Sequence, residues 1–173
     1  MKFKTILRAI DENGERYLLL PLYTLIVSTI FIEVIRRSVL SYSSVWTEEI
    51  ARYAFIYIAY IGASAAIKER AHIRIDVILN VLPNRMKLLL YIFGDIVTLT
   101  LAFVSIYMSM EMVLVSMHFD SVTHGLRISQ AWFLAAVPIG FSMMVARIFQ
   151  SLWRDWNDLR ANRPVFEGNA LFE

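Results

Sequence analysis

An all-α membrane protein with four transmembrane helices follows from three features of the sequence. Apolar residues are gathered into four long blocks, near 17–35, 47–67, 85–117 and 129–153. Hydrophobic residues fill 58% of the 173 positions and charged residues only 18%, against about 45–50% and about 25% in soluble globular chains. Lysine and arginine crowd into alternate connecting segments, as membrane topology requires. A formal net charge of +2 leaves no nucleic-acid footprint. The lack of cysteine excludes disulfides, thiolate metal sites and cysteine nucleophiles. One integral membrane domain is expected over 1–173, with a polar cytoplasmic tail over 157–173.

Phe3, Ile6, Leu7 and Ile10 recur at helical spacing, away from Lys2, Lys4 and Arg8. This predicts an amphipathic N-terminal helix lying in the interface, stopped by a turn at Asn13-Gly14. The first span, 17–35, reaches roughly 28 Å at 1.5 Å per residue, close to the hydrocarbon thickness. It reads as a retained anchor rather than a cleaved signal. Pro21 lies near its first turn, where proline costs least. Glu33 stands three and four residues before Arg36 and Arg37. Pairing with them at the interface is expected; a buried coupling carboxylate is the sharper alternative.

The second span opens on Trp46, Glu48, Glu49 and Arg52. Helical spacing sets both acids beside the guanidinium, and an arginine one turn inside a membrane helix is costly unless paired or able to reach water. A simpler reading has the acids serve only the positive end of the helix dipole. Ala59, Gly62, Ala63 and Ala66 make overlapping small-x-x-x-small pairs that let another helix come close, within this chain or from a partner. Tyr53, Tyr57 and Tyr60 form a separate aromatic stripe. An interfacial or re-entrant segment is expected over 73–82, with Pro83 opening the next element.

The third span is too long for a bilayer and should tilt or protrude. Asp95, inside its apolar boundary, is expected to bind a polar neighbour; an ion or proton role is the alternative. His72 with Asp76, and His118, Asp120 and His124, have partial metal-ligand patterns but no complete set, so no metal and no cofactor are expected. The fourth span carries Trp132 at one interface and Trp153 and Trp156 at the other. Pro138 and Gly140 predict a kink near its middle, and Arg147 can snorkel to the nearer surface. Thirteen lysines and arginines fall in the amino-terminal arm, the second connection and the carboxyl-terminal end, against four on the opposite side. Both termini are therefore expected in the cytoplasm.

The pattern from Trp46 to Pro83 resembles one family. Trp46, Glu48, Glu49, Arg52 and Tyr53, then Gly62-Ala63, then Lys68-Glu69-Arg70, His72-Ile73-Arg74-Ile75-Asp76 and Leu82-Pro83 are similar to the small (Q-type) membrane subunit of tripartite ATP-independent periplasmic (TRAP) transporters. The resemblance is densest over some 40 residues, with length and hydropathy fitting elsewhere. It implies a non-enzymatic scaffold in the bacterial inner membrane. Its partners would be a large membrane subunit and a periplasmic substrate-binding protein. The work would be sodium-coupled uptake of an organic acid, sialic acid favoured and a dicarboxylate the other choice. Trp46, Glu48, Glu49, Arg52, Ala59, Gly62, Ala63, Ala66 and Asp95 are the candidate partner-interface and structural residues. Two other classes compete. A stand-alone proton-coupled multidrug exporter would need Asp95 as its coupling group. A haem- or quinone-binding anchor would need histidines inside the spans, whereas His72, His118 and His124 lie at or beyond the ends.

Overall fold

A computed structural model describes the backbone of residues 2–68 and 83–161, and the side chains of 14–68, 83 and 86–160. The expected interfacial segment at 73–82, most of the tail and the His72/Asp76 pair lie outside the described residues. Among the described residues five helices follow one another: α1 Lys2–Val39, α2 Val45–Lys68, α3 Asn84–His118, the short α4 Ala131–Leu134 and α5 Ala136–Ala161. Four spans among the described residues are long and apolar enough to cross a membrane: Gly14–Val39, Val45–Lys68, Met86–His118 and Ala131–Arg160. The last joins α4 and α5.

The stop expected at Asn13-Gly14 does not form. Helix α1 runs through both residues, so the amphipathic stretch is its first turns and not a separate element. Asparagine and glycine each cost less than about 1 kcal/mol inside a helix. The next residue, Glu15, is 5% exposed and held from two other helices, which fixes the helix there. The break in the fourth span also falls elsewhere than expected. It lies at Ala135, near the span's start, and not in its middle. Proline has no N–H to give the carbonyl four residues back, and its ring crowds that group. For Pro138 that carbonyl is Leu134's, and the α4–α5 break follows directly after it.

The helices pack in a row: α1 on α2, α2 on α5, α5 on α3. From residue 16 to 39 no residue of α1 is buried. The seam between α2 and the α4–α5 span is aromatic. The Tyr53 ring lies 4.8 Å from that of Phe133, the Tyr57 hydroxyl donates to the Trp132 carbonyl at 2.7 Å, and the Tyr60 ring lies 5.6 Å from Phe141. Below it, Ile67, Met144 and Ile148 form a buried core, with Ala63, Leu99 and Leu152 packed around them. Gly140 makes the seam possible. A Cβ at that position would overlap the Cβ of Tyr60. Gly140, assigned from sequence to a kink, is thus the close-approach residue of the bundle.

On α3, Leu88, Tyr91, Ala102, Ser109, Val113 and Ser116 are buried and recur along one face. Ala102, Ser109 and Ser116, seven residues apart, are small enough to bring α5 close. The other face shows Phe93, Val97, Leu101, Val104 and Met108, all exposed. In water such a surface would aggregate; in lipid it is the expected exterior. Trp132 and Trp153, both strongly exposed, are 21 residues apart, roughly 32 Å along a helix and about one bilayer core.

Two glycines separate close packing from open space. Gly140→Ala should lower the melting temperature of the detergent-purified chain by several degrees, since overpacking costs about 1–3 kcal/mol. Gly62→Ala should hold or raise it, because a Cβ there meets nothing within 4 Å and alanine is the better helix former. A differential scanning fluorimetry series on both variants measures the contrast.

Candidate partner interface and the carboxylates that shape it

Helix α2 begins where α1 ends, through a tight connection with Ser41 at φ 49°. Glu33, near the end of α1, reaches across it. Its Oε1 accepts the Ser43 hydroxyl at 2.9 Å and the Ser44 N–H at 3.3 Å. Ser44 and Thr47 are buried beside it. Glu33 thus satisfies backbone at the start of α2, where helix amides have no internal partner. Of the two arginines expected as its partners, Arg36 and Arg37, the first also serves elsewhere. Arg36 lies over the rings of Tyr42 and Trp46, at 5.0 and 5.7 Å from their centroids.

One turn into α2, Glu49 makes the longest-range polar contact at this end. Its Oε2 accepts the N–H of Gly125 at 3.1 Å and of Leu126 at 2.7 Å, and its Oε1 accepts the Tyr53 hydroxyl at 2.9 Å. The connection from α3 to α4 is a small closed turn. Thr123 N–H donates to the Ile128 carbonyl and Gln130 N–H to the Ser121 carbonyl, bridging Val122 and Ser129. Arg127, at φ 54°, bends the chain at its tip. Glu49 binds that tip. A Cβ on Gly125 would lie 2.8 Å from Glu49 Oε2 and 2.9 Å from the Trp46 backbone, so only glycine fits. Carboxylate-to-amide bonds of this kind are about twice as strong as neutral ones.

The opposite end has its own carboxylate. Glu15 on α1 accepts from Arg147 Nε on α5 at 2.5 Å and lies 3.9 Å from Lys68 Nζ at the end of α2. Arg147 also donates to Gln150 at 2.7 Å. The snorkelling expected of Arg147 is replaced by a buried ion pair joining three helices. Sequence reasoning missed Glu15 because its partners are 53 and 132 residues away. An acid just before an apolar block was the only available signal.

The candidate residues therefore divide. Glu49 is taken up within the chain by the α3–α4 turn, whereas Trp46 meets Gly125 with its backbone only and keeps an exposed ring beside Arg36. Ala63 packs on the α2–α5 core. Asp95 is half-buried on α3 with its Oδ2 shielded from solvent, and it makes a polar or electrostatic contact. Glu48, Arg52 and Ala59 are exposed, and Gly62 and Ala66 are half-buried. Neither Glu48 nor Glu49 forms an ion pair with Arg52 among the described residues, so the expected pairing is not made. Spacing allows it, but the loop amides take Glu49 instead.

Residues 26–158 match the family model for the DctQ component of tripartite ATP-independent periplasmic transporters. The chain belongs to this family. Over 153 residues, 85% of this DctQ-family chain, it is 30% identical to the isethionate TRAP transporter permease protein DctMQ of Oleidesulfovibrio alaskensis. It spans only 24% of that relative. It is 28% identical to the sialic acid TRAP transporter small permease protein SiaQ of Vibrio cholerae, covering 86% of this chain and 84% of that one. Against the sialic acid TRAP transporter permease protein SiaT of Haemophilus influenzae it is 25% identical, covering 75% of this chain and 21% of the other. The DctQ-family chain is thus a multi-pass membrane protein of the small permease type, comparable to one free-standing relative and to a quarter or less of two longer ones.

Removing the Glu49 carboxylate should free the turn it holds. In Glu49→Ala, amide exchange at Gly125 and Leu126 should accelerate by an order of magnitude or more, as expected for a hydrogen bond to a charged group worth about 1.5–3 kcal/mol. Exchange in the middle of α3 should stay unchanged. Hydrogen–deuterium exchange with peptide resolution across 119–130 reads both.

Proposed function

We propose that this chain is the non-catalytic scaffold subunit of a TRAP transporter, bound in the bacterial inner membrane to a large permease subunit. The observation that carries the reading is its pattern of relatives. The same module forms most of a free-standing small permease and about a quarter of a longer permease protein. A module found both beside and within a larger body works in contact with that body.

The arrangement of acids supports a structural role. Glu33 is occupied by a hydroxyl and an amide, Glu49 by two amides and a hydroxyl, and Glu15 by an arginine. Each of the three ties separate parts of the chain together: α1 to the start of α2, α2 to the α3–α4 turn, and α1 to α5. The sodium and substrate steps accordingly belong to the large subunit. The transported solute is an organic anion, with sialic acid the first to test and isethionate the second. A periplasmic binding protein delivers it, and both termini lie in the cytoplasm as the lysine and arginine distribution requires.

The experiment is co-purification. Expressed with a large TRAP permease subunit from the same organism and extracted in mild detergent, the chain should elute with that subunit at a constant ratio. Elution only as a separate species contradicts the reading.

A further inference from the structure

Between the end of α2 and the last turns of α5 lies a polar cavity of about 290 Å³. Arg147, Gln150, Ser151 and Arg154 recur at helical spacing on one face of α5, and Ile67 and Lys68 close the cavity from α2. Its walls hold three cations, an amide and a hydroxyl, and no carboxylate lines it among the described residues. Two acids stand behind those walls. Glu15 lies against Arg147 and Lys68 with its side chain 6% exposed, and Asp155, 4.0 Å from Arg154, is fully buried. A second cleft, of about 320 Å³, lies on the other flank of α5. Ile92, Phe149, Leu152, Trp153 and Trp156 line it, without a charge. Helix α5 thus turns its cations to one cleft and its aromatic rings to the other.

We propose that the polar cavity binds the phosphate headgroup of an anionic phospholipid from the leaflet at its own end of the bundle. Depth is set by Trp153 and Trp156, which flank Arg154 along the chain and are exposed. Such rings sit at the headgroup level. Arg147 lies seven residues further in, roughly 10 Å along the helix, so the cations lead from the headgroup layer inward. This is the end that the lysine and arginine distribution assigns to the cytoplasm. Basic pockets between membrane helices on that side take anionic headgroups. Cations that served topology alone would stand in water. Here the side chains of Lys68 and Arg147 are only 22% and 11% exposed, and both turn to a cavity. The polar side chains of the lining make further contacts of their own, which hold them in place for a ligand, as a preorganised site requires. The site is independent of the scaffold reading above.

Native mass spectrometry of the full chain in mild detergent tests this. Offered equal amounts of phosphatidylglycerol and phosphatidylcholine, the wild type should retain phosphatidylglycerol about tenfold more. Arg154→Gln and Lys68→Gln should each remove most of that preference. Arg160→Gln should keep it, since Arg160 is exposed, lies over the Trp156 ring and does not line the cavity. Melting temperatures taken without lipid show that each variant is folded, and the wild-type preference is read whatever the variants do. Millimolar inorganic phosphate should not displace the lipid. Equal retention of the two lipids by wild type overturns the proposal. So does a loss in Arg160→Gln as large as that in Arg154→Gln, which would make the preference one of general surface charge. Displacement by inorganic phosphate makes the cavity a site for a free anion and overturns the lipid assignment.

Discussion

The bond from the Glu49 carboxylate to the Gly125 and Leu126 amides decides how the rest of the bundle sits. It ties the start of α2 to the tip of the turn that leads from α3 into α4. Near a membrane, unpartnered backbone amides are expensive, and a turn offers few internal partners for its own. One carboxylate meets two of them and receives the Tyr53 hydroxyl as well. With the turn fixed, Phe133 and the Trp132 carbonyl fall opposite Tyr53 and Tyr57. Gly140 then meets Tyr60, and the α2–α5 seam closes one helical turn at a time.

Glu15 and Glu33 follow the same logic at other corners. Glu33 closes the connection between α1 and α2, and Glu15 joins α1 to α5 and to the end of α2. Apolar burial cannot orient helices strongly inside a bilayer, because lipid tails are as apolar as leucine. Polar ties at the ends, with small residues at the crossings, do this instead. The result is a row of helices whose outer surfaces are mostly apolar. Among the described residues α1 in particular is covered on one side only, which suits a part assembled into something larger.

The four spans and their helical nature were legible in the sequence, because hydropathy blocks of that length have one physical meaning. The tyrosine stripe was legible as a stripe, since Tyr53, Tyr57 and Tyr60 recur at helical spacing. What it faces was not, because Phe133 and Phe141 lie some 80 residues away. Local spacing also promised an Arg52 pair with Glu48 or Glu49. Spacing gives only proximity, and two loop amides held by a glycine turn offered Glu49 a better site. Asn13-Gly14 looked like a stop because both residues weaken helices, yet their cost is small beside a buried ion pair one residue later. Gly140 was visible as a glycine near a proline, and the kink was placed on it. Its actual use, admitting Tyr60, depends on a helix far away in sequence.

The central claim is that this chain holds and orients a transporter without offering a route of its own. Solute flux into vesicles tests it most directly. Proteoliposomes containing the chain alone, given an inward sodium gradient, labelled sialic acid and the periplasmic binding protein, should accumulate nothing above protein-free vesicles. Vesicles holding the chain with its large subunit should accumulate the label or, failing that, labelled isethionate. Gradient-driven uptake by the chain alone would contradict the account.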